Sequence, residues 1–299
     1  MSAALPQPLR FQLGARTLFS VRRRLATVGW SLDEALAGEP SALPVLAPGD
    51  HGYLLRSVPE AEAERLAARS DMLAFVRQRY PRRYADLSGS FDDYMATFSA
   101  RTRSTLRRKT RKFAELSGGT LDLRSYRGAE EIEEFHALAR RVSRKTYQEK
   151  LLDAGLPEGA EALAEMRRLA ARDRVRAWLL CLEGQPVSYL YAPANGETLI
   201  YAYLGYDPDF ARHSPGAVLQ IEAMREVIEE GRFRRFDFTE GDGQHKRQFA
   251  TGSVACADML LLRPTAGNRA VIAALKAFDG AVEIAKLFPL QGLVRRFAR

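Results

Sequence analysis

The pattern of apolar and polar residues predicts short strands and helices that follow one another along the chain. In the N-terminal part, Tyr53–Val58 alternates like a strand, and Glu60–Ala68 has the spacing of an amphipathic helix. Leu43–Leu46 is also predicted as a strand, and Met72–Tyr80 fits either type of element. These elements indicate a mixed α/β chain from the start.

A long basic helix is predicted next. Ser90 precedes two acids, Asp92 and Asp93, which favour a helix N-terminus, and the glycine pair that begins at Gly118 ends the helix. Apolar residues recur at helical spacing within it, so the bases between positions 99 and 114 cover the remaining surface. We therefore expect an amphipathic helix with a strongly positive face.

The second half of the chain alternates between helices and strands in an order that predicts a mixed sheet. Helices are expected at Glu130–Leu152 and Glu158–Arg172. The predicted strands are Thr120–Tyr126, Arg174–Glu183, Pro186–Pro193, Glu197–Tyr206, Phe233–Thr239 and Ala255–Arg263. Short turns join three of them, which implies an antiparallel meander of Arg174–Glu183, Pro186–Pro193 and Glu197–Tyr206. The predicted fold class is α/β, with a mixed, largely antiparallel central sheet flanked by helices.

The sharpest local prediction is a helix at Pro215–Glu230. Ser214 can cap it with its side chain, proline suits the first position, and Gly231 suits the end. Acids crowd its C-terminal end, while the first two turns carry none before Glu222. Because a helix N-terminus attracts anions, this end suits an external anion, and Gly216 allows close approach. A well-capped surface helix without a ligand is the alternative.

Positive charge is concentrated in three segments of a chain whose net charge is +8. Residues 1–32 contain five arginines and no acid, and residues 99–114 contain seven bases and no acid. Residues 263–299 contain seven bases and two acids, so the rest of the chain is net acidic. This segregation predicts an anionic partner, such as phosphates, nucleic acid or a lipid surface.

Several classes of protein are disfavoured by simple patterns. No apolar run approaches the roughly 18 residues of a membrane-spanning helix, and no secretory signal is visible, so we expect a cytoplasmic protein. The Arg-rich N-terminus fits a transit peptide in composition, but Pro6 and Pro8 fit a targeting helix poorly. Cys181 and Cys256 lack metal-ligand spacing, the histidines are scattered, and we expect no metal.

The order of several short motifs resembles the Gcn5-related N-acetyltransferase (GNAT) superfamily, and within it the bacterial cellulose-biosynthesis-type acetyltransferases. The motifs are Gly205-Tyr206-Asp207-Pro208, Ser214-Pro215-Gly216 with Val218-Leu219, Phe236-Asp237-Phe238, Gly241-Asp242, and Lys246 with Phe249. The resemblance covers roughly residues 90–262. It implies two tandem GNAT-like units: a degenerate one at 1–118 and an acyltransferase domain at 119–262, with a basic amphipathic tail at 263–299.

The resemblance also implies a donor site. In the superfamily, acyl-CoA lies on a loop at a helix N-terminus and along a splayed strand whose free backbone N–H holds the thioester carbonyl. The implied donor-binding residues are Leu204, Gly205, Arg212, Ser214, Gly216, Ala217 and Val218. Arg212 and Ala217 match the superfamily's loop pattern, whereas Pro215 stands where the first glycine would be.

Transfer of an acyl group from a thioester to an amine needs a neutral amine, donors for the carbonyl oxygen and a proton for the thiolate. Glu240, Asp242 and His245 are the candidates that can relay a proton from the amine. The branch commonly has a tyrosine where His245 stands, which weakens any role carried over to that position. Alternatively, Asp242 caps the turn at Gly241 and His245 is a solvent-exposed loop residue.

Tyrosines and one lysine complete the predicted site. Tyr201 or Tyr203 can protonate the leaving thiolate, and Tyr201 and Lys246 are expected to contact the acceptor. Alternatively, both tyrosines are core residues whose hydroxyl groups contact water.

These features predict an N-acyltransferase that uses acyl-CoA or an acyl carrier protein (acyl-ACP), with an amphiphilic amine such as a sphingoid long-chain base as acceptor. A contact with an anionic membrane is expected through the helix at 99–114 and the tail, with nucleic acid disfavoured. In the tail, apolar residues at helical spacing form a stripe, and three arginines follow it. This tail stripe consists of Ile272, Leu275, Phe278, Val282 and Ala285, and the arginines are Arg295, Arg296 and Arg299. Alternatively, the tail stripe packs on the protein's own core. The alternatives are aminoacyl-tRNA-dependent transfer and a non-catalytic adaptor that binds nucleic acid or membrane.

Overall fold

The computed structural model describes residues 4–13, 16–40, 42–69, 71–146 and 155–287. Its strands are β1 (Leu5–Leu13), β2 (Arg16–Gly29), β3 (Gly52–Pro59), β4 (Leu73–Asp86), β5 (Asp122–Tyr126), β6 (Val175–Leu182), β7 (Gln185–Asn195), β8 (Thr198–Ile200), β9 (Tyr203–Tyr206), β10 (Arg235–Asp237) and β11 (Gly252–Leu262). Its helices are α1 (Leu32–Ala37), α2 (Glu60–Ala67), α3 (Phe91–Ala96), α4 (Ala100–Leu116), α5 (Glu131–Ser143), α6 (Ala160–Ala170), α7 (Pro215–Glu230), α8 (Gln244–Phe249) and α9 (Ala266–Leu287). The predicted α/β class with a mixed sheet flanked by helices is confirmed.

The chain forms two compact units. The first comprises Met1–Pro81 with Val254–Arg299, and the second comprises Arg82–Ser253. The predicted boundary at residue 118 therefore falls inside the second unit, because α3 and α4 pack against α7. The predicted separate tail from residue 263 instead starts within the first unit. That the first unit is a degenerate copy of the second stays a prediction.

In the first unit, a mixed sheet has the order β1-β2-β3-β11-β4. β1 pairs antiparallel with β2, β2 pairs parallel with β3, and β3 pairs antiparallel with β11. Ile272 and Leu275 of α9 are buried in the core of this unit, and Phe278 packs edge-on against Phe11. Three residues of the tail stripe, Ile272, Leu275 and Phe278, therefore pack on the protein's own core. Residues 288–299, with Arg295, Arg296 and Arg299, lie outside the described residues.

In the second unit, the end of β4 pairs antiparallel with β10, and the order continues β10-β8-β7-β6-β5. The predicted antiparallel meander is confirmed, because β6 pairs antiparallel with β7, and β7 with β8 and β9. Successive side chains of β6 enter two different cores: Trp178 packs on the α7 side and Leu179 packs on the α5 side. Because β6 is covered on both faces, its sequence is apolar at every position except Arg176 rather than alternating.

Several predicted elements are wrong or displaced. Leu43–Leu46 forms no strand. The helix predicted from Ser90 onward is two helices, because Ser99 caps α4 in addition to the capping box that Ser90 forms for α3. The strand predicted at Glu197–Tyr206 is split into β8 and β9. Part of the helix predicted at Glu130–Leu152 lies outside the described residues.

Some observed elements were not predicted. These are β1, β2, α1 and α8. The signal that marks α1 is visible in the sequence, because Ser31 and Glu34 form a capping box. Cys181 and Cys256 form no disulfide with each other, and both are buried, as expected for core residues. No helix of the described residues is long and apolar enough to cross a membrane.

Candidate functional site

Two neighbouring strands part in the sheet of the second unit. β8 and β10 pair in parallel as far as Ile200 and Asp237, and the Tyr201 N–H then donates to the Asp237 carbonyl at 2.8 Å. Beyond this point β9 pairs with β7, and with no other strand of the described residues. One edge of β9 is therefore open, in the stretch where the splayed strand was expected.

A buried ion pair stands at the point of separation. Asp237 is 1% exposed, and its carboxylate accepts hydrogen bonds from the Arg82 guanidinium at 2.5 and 3.2 Å. The same carboxylate accepts the backbone N–H of Thr239 at 2.8 Å, and Thr239 has a left-handed φ of 61°. These bonds turn the chain away from β9 directly after β10.

The open edge of β9 presents backbone N–H groups at alternate residues. The Asp207 N–H donates to the Val187 carbonyl at 2.8 Å, which identifies this position as a hydrogen-bonded pair of the ladder with β7. Hydrogen-bonded and non-bonded pairs alternate along an antiparallel ladder, and the register between β7 and β9 has no shift. The N–H groups of Leu204 and Tyr206 therefore point away from β7, toward the open edge.

The N-terminus of α7 adjoins β9 and is not capped by a side chain. Ser214 occupies the N-cap position in a left-handed conformation and makes no side-chain cap hydrogen bond, so the predicted capping by its hydroxyl is wrong. The first turn carries no acid, and Gly231 ends the helix as predicted. A Cβ at Gly216 would lie 3.3 Å from both Leu204 and Tyr206. Glycine therefore lets the helix N-terminus come close to the open strand.

Other predicted donor-binding residues have different surroundings. A Cβ at Gly205 would lie 2.5 Å from the Tyr189 ring and 2.8 Å from Thr146, so only glycine fits there. The Val218 side chain is buried in the core, and its N–H is already bonded to the Ser214 carbonyl. Ala217 is partly buried against the same core. These positions set the packing of the helix rather than offering side chains to a ligand.

The loop between β9 and α7 carries the predicted arginine. Arg212 is exposed, and its Nε donates to His213 Nε2 at 2.8 Å. Earlier in the loop, the buried carboxylate of Asp207 accepts a hydrogen bond from Lys145 Nζ at 2.6 Å. Because that bond stabilises the ammonium, it raises the pKa of Lys145. The loop thus carries one exposed arginine three residues before the start of α7, while Lys145 is paired with Asp207.

On the other side of the separation, His245 and Tyr201 lie against each other, with ring centroids 5.6 Å apart. Burial, aided by the neighbouring Lys246 ammonium, lowers the pKa of His245 to about 4, so the imidazole is neutral near pH 7. Its Nε2 is buried and has no hydrogen-bond partner within the described part of the chain. Burial also raises the pKa of Tyr201, which keeps its hydroxyl protonated.

The carboxylate of Asp242 is held by two arginines. Arg83 Nε donates to it at 2.6 Å and Arg247 Nη1 at 2.9 Å. The Arg83 hydrogen bond is the main cause that lowers the pKa of Asp242. Each oxygen of this carboxylate therefore accepts a hydrogen bond from a guanidinium group, which argues against Asp242 as the group that deprotonates the amine.

Lys246, Glu240 and Tyr203 complete the predicted set. Lys246 Nζ donates to the Glu240 carbonyl and lies 3.4 Å from Thr239 Oγ1, so it closes the loop after β10. Burial lowers the pKa of Lys246. Glu240 is exposed, and the Tyr203 ring packs beside Tyr191. Among the described residues, no three His, Cys, Asp or Glu side chains form a group that could hold a metal ion.

Sequence reasoning did not assign a role to Asp237 or Arg82. A signal was present, because an acid between two phenylalanines, Phe236-Asp237-Phe238, interrupts an apolar strand and requires a buried partner. The partner lies 155 positions earlier in the chain, so local patterns could not identify it.

A comparison with protein-family models matches residues 100–247 to the family described as "Acetyltransferase (GNAT) domain". No curated protein sequence matches the chain. The matched segment contains α4, the open strand β9, the helix α7 and most of α8.

Solved structures show a similar fold at low sequence identity. FemX is 10% identical, with a TM-score of 0.51 over 87% of this chain and 88% of that one. The C-terminal domain of a protein named as a lysylphosphatidylglycerol synthetase, from Agrobacterium fabrum, is 11% identical, with a TM-score of 0.51 over 77% and 72%. A conserved protein of unknown function from Bacteroides thetaiotaomicron is 14% identical, with a TM-score of 0.50 over 72% and 70%. At these identities the likeness concerns the fold alone.

Proposed function

We propose that this acyltransferase, whose residues 100–247 match the family described as "Acetyltransferase (GNAT) domain", transfers an acyl group from a phosphopantetheine thioester to the nitrogen of an amphiphilic amine. The thioester is carried by CoA or by an acyl carrier protein. A sphingoid long-chain base is a concrete candidate for the acceptor. Membership of the cellulose-biosynthesis-type branch belongs to the same proposal.

The observation that carries this proposal is the pairing of an uncapped, acid-free helix N-terminus with an open strand edge. The first turn of α7 offers the Gly216 N–H and a positive dipole to a phosphate, while the N–H groups of Ala217 and Val218 bond to the Ser214 carbonyl. The adjacent edge of β9 offers the Leu204 N–H to an oxygen that becomes negative. A ligand with a phosphate at one end and a thioester at the other matches both features.

In the proposed reaction, the amine nitrogen attacks the thioester carbon, and the carbonyl oxygen becomes negative while the Leu204 N–H donates to it. The C–S bond then breaks, the amide remains, and the sulfur leaves as a thiolate. We assign the proton of the thiolate to the Tyr201 hydroxyl, because burial holds this group in its protonated form.

The proton of the attacking amine is assigned to His245. The imidazole is neutral near pH 7 and its Nε2 is free to accept a hydrogen bond, whereas Asp242 is neutralised by Arg83 and Arg247. Glu240 is exposed and is the remaining candidate. Tyr203 and Lys246 are assigned to positioning, since Lys246 closes the loop after β10.

An amphiphilic acceptor is supported by several exposed apolar side chains on the first unit. Leu18 and Phe19 on β2 are each 51% exposed, and Leu5 on β1 is 60% exposed. The exposed side chains of Arg10 and Arg22 lie on the same two strands. Apolar side chains beside bases suit the surface of an anionic membrane, so we propose peripheral membrane contact through this hairpin.

The direct test incubates the full-length protein with labelled acyl-CoA, or with the same acyl chain on a carrier protein, and a panel of amines that includes sphinganine. The expected result is a labelled amide with long-chain amines. If no amine gives an amide with either donor and neither donor binds, the proposal is wrong.

Gly216→Leu tests the donor site, with Gly280→Leu as the matched control. A leucine at position 216 would collide with Leu204 and Tyr206, whereas Gly280 on α9 has open space around it. We expect the donor KM to rise at least tenfold for Gly216→Leu only. An unchanged donor KM in Gly216→Leu, with the fold intact by circular dichroism, would contradict the assigned donor site.

A further inference from the structure

The helix α4 carries an excess of positive charge that the described part of the molecule does not neutralise. Of its seven bases, Arg103 donates to the carbonyls of Ala96 and Phe98, and Arg111 lies 3.7 Å from Glu115. The other five form no ion pair with any described residue. They are Arg101, Arg107, Arg108, Lys109 and Lys112.

This arrangement is unusual within the second unit and unfavourable for the helix itself. Arginines on other helices of this unit pair with acids, as Arg168 does with Glu165 and Arg225 with Glu222. Like charges spaced three or four residues apart, as Arg108 and Lys112 are, destabilise a helix by a few tenths of a kcal/mol per pair. An anionic partner would relieve this repulsion.

The position of α4 relates the charge to the donor site. The helix packs against α7 and beside the 3₁₀ segment Pro208–His213, which leads into the N-terminus of α7. Arg107 and Arg111 line a surface groove together with Ile221. Ile221 lies six residues after the start of α7, about 9 Å along the helix axis. The bases are therefore close to the place where a donor phosphate is proposed to bind.

A lipid membrane and CoA alone both fit this surface poorly. A membrane fits poorly because it needs exposed apolar side chains to insert. On α4 the large apolar side chain with marked exposure is Leu116, which lies in the last turn. The bases run from Arg101 to Lys112, about 16 Å along the helix axis, which is longer than one nucleotide. CoA alone therefore does not account for the charge.

We infer that α4 is the docking surface for an acidic carrier protein that delivers the acyl chain on a phosphopantetheine arm. The phosphopantetheine part is common to CoA and to a carrier protein, so α7 and β9 would hold either donor in the same way. The two donors differ in what lies beyond the phosphate, which is where α4 presents its bases. Opposite charge on the carrier would steer its docking. This inference rests on the proposed acyl transfer.

The test compares one acyl chain on two carriers, holo-acyl carrier protein and CoA, with the same amine. The variant is Arg101→Glu/Arg108→Glu/Lys112→Glu, which changes three bases that recur at helical spacing. The control is Arg172→Glu/Arg269→Glu/Lys276→Glu, which changes three exposed bases outside α4 and alters the net charge equally. We expect the ratio of kcat/KM for acyl carrier protein to kcat/KM for acyl-CoA to fall at least tenfold in the variant.

The control should keep this ratio within twofold of the wild-type value. Raising the salt concentration should lower kcat/KM for the carrier protein in the wild type more than in the α4 variant. An unchanged ratio in the α4 variant, or an equal fall in the control, would overturn the inference while leaving the proposed reaction standing. Loss of binding to anionic vesicles or of competition by tRNA in the α4 variant, with the ratio unchanged, would overturn it in favour of those partners. Failure of both donors would instead overturn the proposed function.

Discussion

The two sides of the strand separation are built on different principles. The proposed donor side, formed by β9 and the start of α7, offers backbone N–H groups, and at Gly205, Gly216 and Val218 it has either no side chain or one packed into the core. The side beyond β10 is formed by polar side chains that hold one another, such as Arg82 with Asp237 and Arg83 with Asp242. The difference teaches that one half of a site can depend on backbone geometry while the other depends on side-chain contacts.

The largest expected effect is on the buried ion pair that turns the chain at the separation. Arg82→Ala leaves the Asp237 carboxylate buried without its guanidinium partner, and we expect the free energy of unfolding to fall by about 3–5 kcal/mol. Chemical denaturation with circular dichroism measures this change.

The neighbouring residue supplies a matched control. Arg83 pairs with Asp242, and both side chains are partly exposed, so Arg83→Ala should cost about 0–1 kcal/mol. Equal losses for the two variants would show that the separation does not depend on the buried pair.

The next effect tests the backbone character of the donor side. Leu204→Pro removes an N–H that faces the open edge and makes no ladder bond to β7, so the strand should tolerate the proline. If this N–H stabilises the carbonyl oxygen, kcat should fall by about 10²–10³ relative to Leu204→Ala. Leu204→Ala keeps the N–H while it loses side-chain atoms, so the comparison isolates the backbone group. Equal kcat values for the two variants would assign the oxygen to another donor.

On the side-chain half, His245→Gln should lower kcat by about 10²-fold, because a proton acceptor is lost. The pH dependence of stability adds an independent readout. The pKa of His245 lies at about 4 in the folded protein, below its unfolded value near 6.5, so its neutral form contributes stability that is lost as the pH falls through this window. Tm measurements should therefore show a shallower fall between pH 7 and pH 4 in His245→Gln. His213→Gln on the donor loop is the control, and it should keep the wild-type slope.

The smallest effect is expected at Asp242. Asp242→Asn breaks two partly exposed ion pairs, so the free energy of unfolding should fall much less than in Arg82→Ala. We expect kcat to stay within threefold of the wild-type value because the carboxylate is not assigned to proton transfer. A loss of kcat comparable to that of His245→Gln would move the proton-accepting role to Asp242.

Elements with strong local signals were predicted well, and elements set by distant contacts were not. α7 was predicted at its observed bounds because Pro215 and Gly231 mark both ends. β1 and β2 were missed because arginines and prolines obscure their alternation. The break between β8 and β9 could not be predicted, since it depends on Asp237 and its partner Arg82, far apart in the sequence.

The site divides in the same way. Gly216 and the acid-free first turn of α7 were found from the sequence because backbone-based sites leave a signature of small residues and missing charges. The surroundings of Asp242 and His245 could not be found, because the ion pairs of Asp242 and the burial of His245 are tertiary properties. Sequence patterns therefore identified which residues gather after β10 but left their protonation states open.

The alternation of N–H directions along β9 also has a consequence for amide hydrogen exchange. The amides of Tyr203 and Gly205 face the ladder with β7 and should be protected in the free protein, whereas those of Leu204 and Tyr206 face the open edge. Four consecutive residues would thus exchange in a fast and slow alternation that a continuous central strand would not show. A donor bound along that edge would slow the exchange of the Leu204 and Tyr206 amides alone and so remove the alternation. The exchange pattern of β9 therefore reports directly whether a donor is bound.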